Sequence, residues 1–342
     1  MSIRVEPFAG TAAEWDTFGA AQRGWTAFHR HAWHRHIQRV FGHEVMALCA
    51  RTSDGALAGL LTLVRVKSPI FGHFLVSLPF VSYGGPIGTD DAVRALTATA
   101  LERLTADRAD LLELRSACEL PIDLTASHRK ITVVLPIKSN DPEVVFKGFT
   151  SKLRSQVRRP AKSGVEVRMG PDQAEPFHRV FSRHMRDLGT PTLPLSWFTS
   201  LRDAFGDDVW FACAWLNGEP IACGAGFRWT GEFEITWASA LREHGSTSAN
   251  MGVYWALIER ASREGLTRFN FGRCTPDSPT HRFKSQWGAL DEPLYWYAKA
   301  ASATASMPKQ DSAKFALATR VWQKLPVSVT NALGPRLVRY IP

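Results

Sequence analysis

The stretch that decides the reading runs from Asn250 to Tyr297: NMGVYWALIERASREG (250–265), LTRFNFGR (266–273), CTPDSPTHRFKSQWGAL (274–290) and DEPLYWY (291–297). Its pattern predicts a helix, a strand, a turn carrying polar and basic side chains, and a closing aromatic strand. A strand that ends in Gly272 and Arg273 and opens into a Pro- and Asp-bearing turn puts polar groups at a sheet end, where α/β proteins commonly bind ligands.

Working outward, the same order of elements occurs twice. Glu44 to Val66 is two apolar runs about an Asp-Gly turn, His73 to Phe80 a strand, Thr89 or Asp90 the cap of a helix reaching Ala106, and Asp110 to Leu114 a strand ending in Arg115. Val209 to Phe227 repeats the hairpin about Asn217-Gly218, Glu232 to Ser239 the strand, Asn250 to Glu264 the helix with Asn250 as cap, and Arg268 to Gly272 the last strand. Each element of the second set follows its counterpart by about 160 positions, which indicates an internal duplication.

The 342 residues are enough for two domains. The expected division is a first domain over 1–145, a second over 146–300, and a linker with an amphipathic tail over 301–342. Five scattered cysteines suggest neither a disulfide framework nor a CxxC metal site. A tight hairpin at Asn217-Gly218 would pair Cys213 with residue 222 and put the sulfurs of Cys213 and Cys223 on opposite faces. No run is long and apolar enough to cross a membrane, so a cytoplasmic location is expected. The net charge of +9 favours an anionic partner without choosing among nucleic acid, phosphate-bearing substrate and membrane surface.

Much of that charge lies between Lys147 and Arg168, where seven basic residues face one acidic residue, Glu166. A helix capped by Ser151 would project Arg154, Arg158 and Lys162 from one face, pack Leu153 and Val157 on another, and kink or stop at Pro160. This is either a solvated linker helix or a phosphate-binding one. In HRFKSQWGA (281–289) a short helix would bury Phe283 and Trp287 and turn Arg282 and Lys284 to solvent or ligand; Lys284 could equally lie over Trp287. Asp277 is a candidate proton acceptor or a turn cap, and His281 an alternative base. The histidine-rich HRHAWHRH (29–36) offers no ligand spacing for a metal and reads as a polar helix face, so no metal is expected. After Lys299 comes a linker, then a helix with Phe315, Ala318, Trp322 and Leu325 in one stripe, which either packs on the body or lies on an anionic membrane surface.

A hairpin, a third strand, a helix and a following strand, repeated, resembles a tandem GNAT acyltransferase fold. SLPFVSYGGP (77–86), SKLRSQVRRPAKSGVEV (151–167), MRDLGTP (185–191), NFGRCTPDS (270–278) and HRFKSQWGA (281–289) carry a resemblance to FemAB-like and CelD-like proteins, closest to those associated with exosortase and exopolysaccharide clusters. The fold class this implies is α/β (α+β), each domain a mixed, mostly antiparallel sheet flanked by helices.

The implied activity is transfer of an acyl or aminoacyl group to an amine or hydroxyl of a phosphate-bearing envelope or polysaccharide precursor by direct attack. A non-catalytic tandem scaffold that binds RNA or an assembly partner is the alternative. LREHGSTSANMG (241–252) departs from the glycine-rich coenzyme A loop by having Thr247 at the second glycine position. No bound cofactor is therefore expected, and the donor is a co-substrate, aminoacyl-tRNA or acyl-CoA, which makes tRNA a candidate partner. The resemblance implies that Arg154 and Arg158 grip acceptor phosphates, that Lys284 sits near the transferred group, and that Lys67 and Tyr83 shape the acceptor pocket. Asn250, Tyr254, Arg273, His281, Arg282 and Trp287 complete the substrate-contacting candidates, with Asp277 and Lys284 as catalytic candidates that form no recognisable dyad.

Overall fold

The computed structural model describes residues 3–69, 71–302 and 313–341. Along the chain it places β1 (Ile3–Pro7), α1 (Ala12–Ala20), α2 (Ala32–Phe41), β2 (Glu44–Thr52), β3 (Leu57–Ser68), β4 (Gly72–Val76) and β5 (Ile87–Gly88). Then come α3 (Asp90–Ala106), β6 (Leu111–Ser116), β7 (Ala126–Ser127), β8 (Ile131–Pro136), α4 (Pro142–Gly148), α5 (Ser151–Lys162) and β9 (Glu166–Met169). The sequence continues with α6 (Ala174–Leu188), α7 (Leu195–Thr199), α8 (Leu201–Phe205), β10 (Val209–Leu216), β11 (Glu219–Trp229) and β12 (Glu232–Ala240). It ends with α9 (Ala249–Arg263), β13 (Arg268–Cys274), α10 (Pro279–Ser285), β14 (Leu290–Pro293), β15 (Tyr295–Ala300), α11 (Ala313–Lys324) and α12 (Val327–Val338).

Two compact units result, one drawn from Met1–Lys130, Pro293–Asp311 and Arg339–Pro342, the other from Ile131–Glu292 and Ser312–Val338. This differs from the expected division at 145 and 300. The aromatic strand β15 does not close the second copy: it pairs antiparallel with β6, from Tyr295 opposite Ser116 to Ala300 opposite Leu111, and so belongs to the first unit. The second unit takes β8 into the equivalent place beside β13. Each sheet is thus completed by a strand that the expected boundaries assign to the other domain.

In the first unit the sheet order is β1-β2-β3-β4-β6-β15-β7, with β5 on β3. Its core lies between this sheet and α3, whose Leu96 and Ala100 are buried with Leu61, Leu63 and Leu112. Thr89 caps α3 as expected, accepting from the Ala92 N–H. The histidines do not form a polar face. His29, His34, His36 and His43 are all buried; His34 Nε2 lies 2.8 Å from Thr62 Oγ1 and its ring meets Trp15 edge-on. Burial pulls His34 down to about 3 and His29 and His36 to about 4, so they are neutral packing groups. Among the described residues no group of His, Cys, Asp or Glu could hold a metal ion.

In the second unit the order is β14-β8-β13-β12-β11-β10-β9. α9 and α5 cover it, burying Val253, Leu257 and Ala261 with Leu153 and Val157. The cap of α5 is Thr150, whose hydroxyl accepts from the Leu153 N–H, and Ser151 is already helical. Pro160 does not halt the helix, which runs on to Lys162, and its ring packs against Gly252 of α9, where a Cβ would come within 3.3 Å of it. The hairpin carries a bulge after Ala214, so Cys213 faces Cys223 directly and the two buried thiols share a face, contrary to the expected register. The tail packs on the body: Arg186 Nη1 donates to the Leu325 carbonyl at 2.9 Å and Gln323 Nε2 to that of Asp187 at 3.1 Å. The side chain of Phe315, in the expected stripe, and most of the linker lie outside the described residues. No helix among the described residues is long and apolar enough to cross a membrane.

Candidate active site in the second unit

β12 and β13 run parallel for three residue pairs only, Glu232 with Arg268, Phe233 with Phe269 and Glu234 with Asn270. Beyond these, β12 stays on β11 as far as Ala240, whereas β13 bulges between Asn270 and Arg273 against β8. The strands therefore part, and among the described residues the β12 edge facing β13 has no strand partner past Glu234.

The residues of β13 dictate the parting. Gly272 has φ +69°, and a Cβ there would lie 2.8 Å from the Ile235 carbonyl oxygen, so glycine is required. Its N–H turns inward and donates to Asn270 Oδ1 at 2.8 Å, a side chain standing in for a ladder carbonyl. Asn270 Nδ2 donates to Glu232 Oε1 at 2.8 Å, and Thr132 donates its hydroxyl to Asn270 Oδ1. Arg268 binds Glu232 at 2.7 Å and Glu292 at 2.8 Å, pinning the paired end of the fork.

Lys284 reaches the fork from α10. Ser278 caps this helix, accepting from the His281 N–H at 3.1 Å, and Pro279 opens it. Lys284 is not turned to solvent: it is 4% exposed, and its Nζ donates to the carbonyls of Gly272 at 2.6 Å and Arg273 at 2.9 Å. Burial lowers its pKa from 10.5 to about 8, opposed in turn by the neighbouring Cys274 and Glu234. A protonated amine at neutral pH thus sits under the point of divergence. The helix α9 follows β12 in the chain after a 3-10 turn over Arg242–Thr247. Ser248 precedes its first residue at φ +55°, and Asn250 lies inside the first turn rather than at the cap.

The structure separates the other candidates by environment. Tyr254 and Trp287 are buried and pack on Phe271 in the core, Tyr254 stacked at 5.5 Å and Trp287 tilted at 5.9 Å; burial raises the Tyr254 hydroxyl well above the ordinary tyrosine value. Phe283 packs on Tyr254 as expected. His281 receives the Asp277 N–H on Nδ1 at 3.0 Å, which leaves the proton on Nε2, 2.8 Å from Asp291. Both ring nitrogens are occupied, so His281 fixes the turn rather than offering a base. Asp277 itself is exposed at φ +61°, and Arg273 and Arg282 are exposed as well. Arg154 Nη1 donates to the carbonyls of Lys147 and Phe149, joining α4 to α5, whereas Arg158 lies over the Phe146 ring at 4.9 Å with its charge open to solvent. Arg159 and Lys162 are exposed on the same helix.

Lys67 and Tyr83 belong to the first unit. Lys67 is exposed on β3 opposite His73, and Tyr83 is buried with its ring 5.7 Å from Phe28. The equivalent fork there, between β4 and β6, is filled. After Val76 pairs with Glu113, the Ser77 N–H donates to the Glu113 carbonyl at 2.9 Å and the Gly85 N–H to that of Arg115 at 2.6 Å. Buried Arg115 donates to Glu113 at 2.6 Å and to the Val81 carbonyl at 2.8 Å, and lies over Trp296 at 4.5 Å. Chain 77–86 thereby occupies the first fork. Sequence reading named neither Glu113 nor Arg115 as a pair, and gave Asn270 and Thr132 no role, because their partners are distant in the chain.

Two repeated forks of this kind define a tandem GNAT fold. Residues 147–285 match the acetyltransferase (GNAT) domain model, a span that begins at the basic segment and ends just past Lys284. Similar solved structures include FemX, at TM-score 0.65 and 15% identity over 85% of this chain and 97% of that one. Others are the tandem GNAT protein from the clavulanic acid biosynthesis pathway (TM-score 0.56, 13% identity, 89% and 100% covered) and the L-PGS of Bacillus licheniformis (0.54, 12%, 92% and 98%). The search of curated proteins returns no match.

Proposed function

We propose that the chain is an acyl- or aminoacyltransferase whose transfer site is the fork between β12 and β13. The observation that carries this reading is the buried Lys284 ammonium at the parting of two strands that share only three residue pairs. Among the described residues the β12–β13 ladder stops at Glu234, and a strand edge left open there suits a carbonyl oxygen that gains charge during acyl transfer. In the reaction an acceptor amine or hydroxyl attacks the acyl carbon, the bond to the donor's sulfur or oxygen breaks, and the acceptor's proton passes to solvent or to the exposed Asp277 carboxylate. Positioning supplies much of the acceleration. The Lys284 charge, held in a low-dielectric site, favours the transient oxyanion.

The acceptor we assign is a phosphate-bearing cell-envelope or exopolysaccharide precursor. Support comes from the exposed Arg158, Arg159 and Lys162 on α5 and from the FemAB-like resemblance of the flanking segments. The donor is acyl-CoA or aminoacyl-tRNA, used as co-substrate. Incubating the protein with each donor and following its consumption tests the reading. Consumption of one donor, lost in Lys284→Met, supports it, whereas indifference to both favours the non-catalytic scaffold.

A further inference from the structure

We infer that the outer face of α11 and α12 is a docking surface for an anionic lipid bilayer. Their inner faces are used: besides the bonds to Arg186 and Asp187, Gly334 sits so close to Thr192 that a Cβ would lie 2.9 Å from its backbone nitrogen. The outer faces are not. On α11, Leu317 (64% exposed), Arg320, Val321 (53%) and Lys324 follow one another at i, i+3, i+4 and i+7, a single stripe. On α12, Val329 (37%), Leu333 (42%) and Arg336 repeat the pattern at i, i+4 and i+7.

Half of the large aliphatic side chains exposed among the described residues are therefore these four, and Leu188 and Leu195 add two more on the α6–α7 segment that the helices pack against. Charge selects the occupant. From Ala313 to Pro342 the sequence has basic residues and no Asp or Glu. An apolar protein partner would not call for Arg320, Lys324 and Arg336 to border the aliphatic stripe, whereas anionic headgroups over an acyl layer match both components. Twelve-residue helices with polar inner contacts suit lying on a surface.

The surface needs no transfer chemistry, so its test is separate from that of the fork. The purified full chain is floated with vesicles of phosphatidylcholine alone and of phosphatidylcholine with phosphatidylglycerol, at low and high salt. Binding to the anionic vesicles, weakened by salt and reduced roughly tenfold or more by Arg320→Glu with Lys324→Glu, is expected. Leu317→Glu with Val321→Glu, both at exposed positions, should abolish it without lowering Tm. Absence of binding to anionic vesicles overturns the proposal, as does equal binding to neutral ones or binding that survives both pairs of substitutions. A concentration-dependent dimer that Leu317→Glu with Val321→Glu dissolves would assign the face to a second copy instead.

Discussion

The Lys284 ammonium and the Gly272 carbonyl, 2.6 Å apart, join a side chain from α10 to the residue at which β13 leaves β12. The bond has two consequences: it satisfies a carbonyl that the bulge has taken out of the ladder, and it fixes a positive charge at the site of proposed transfer.

Lys284→Met keeps most of the side-chain volume but removes the donor. Transfer should fall by at least about a hundredfold in kcat, the scale of losing one oxyanion-stabilising group. The two orphaned carbonyls cost about 1–3 kcal/mol each, partly offset because a buried charge is also removed. Chemical unfolding alongside single-turnover transfer separates the two effects.

Lys284 also sets a pH dependence of stability. Its pKa falls from 10.5 to about 8 on folding, so between these values the unfolded chain binds more protons and stability rises with pH. Below about pH 8 the lysine is protonated in both states and its contribution no longer changes. Subtracting the pH profile of Lys284→Met from that of the wild type should leave a rise confined to this window.

The histidines of the first unit act at the other end of the scale. His34 is held down to about 3 and His36 to about 4, so as pH falls below 6.5 the unfolded chain gains protons that the folded one refuses. Stability should fall by about 1.4 kcal/mol per pH unit for each such group down to its folded pKa. His34→Gln, which preserves a bond to Thr62, should reduce that slope by one group's share in acid-unfolding titrations followed by tryptophan fluorescence.

Arg154 and Arg158 should behave differently although they lie one turn apart. Arg154→Ala loses bonds to two backbone carbonyls and should lower stability by about 1–3 kcal/mol. Arg158→Ala together with Arg159→Ala should leave Tm nearly unchanged and raise KM for the acceptor with kcat preserved.

Arg115→Met leaves Glu113 buried without its partner and releases chain 77–86. A loss of about 3–5 kcal/mol in the first unit is expected, measured by hydrogen exchange resolved to its strands.

The tandem fold was legible because hairpins, Gly turns and helix caps are local signals, and their repetition about 160 residues apart is hard to produce otherwise. What local signals cannot show is which sheet a lone strand joins: β15, flanked in the chain by segments of the second unit, pairs with β6 of the first, and β8, on the first side of the expected boundary, pairs with β13 of the second. The bulge after Ala214 likewise depends on packing and reversed the expected cysteine register. At the site, the sequence pattern turns Lys284 to solvent or ligand, whereas the i,i+4 pairing of Phe283 and Trp287 buries that helix face and the lysine goes under with it to meet carbonyls exposed by the bulge at Gly272. His281 looked like a base in sequence because its two partners, the Asp277 N–H and Asp291, are revealed only by the fold of the turn.

The most direct test of the fork as the transfer site is the rate at which the purified chain consumes acyl-CoA and aminoacyl-tRNA, measured for the wild type and for Lys284→Met at equal folded fraction. The account predicts that one donor is consumed and that the substitution removes at least about 99% of that rate. Undiminished consumption by Lys284→Met, or none of either donor by the wild type in the presence of phosphate-bearing acceptors, contradicts it.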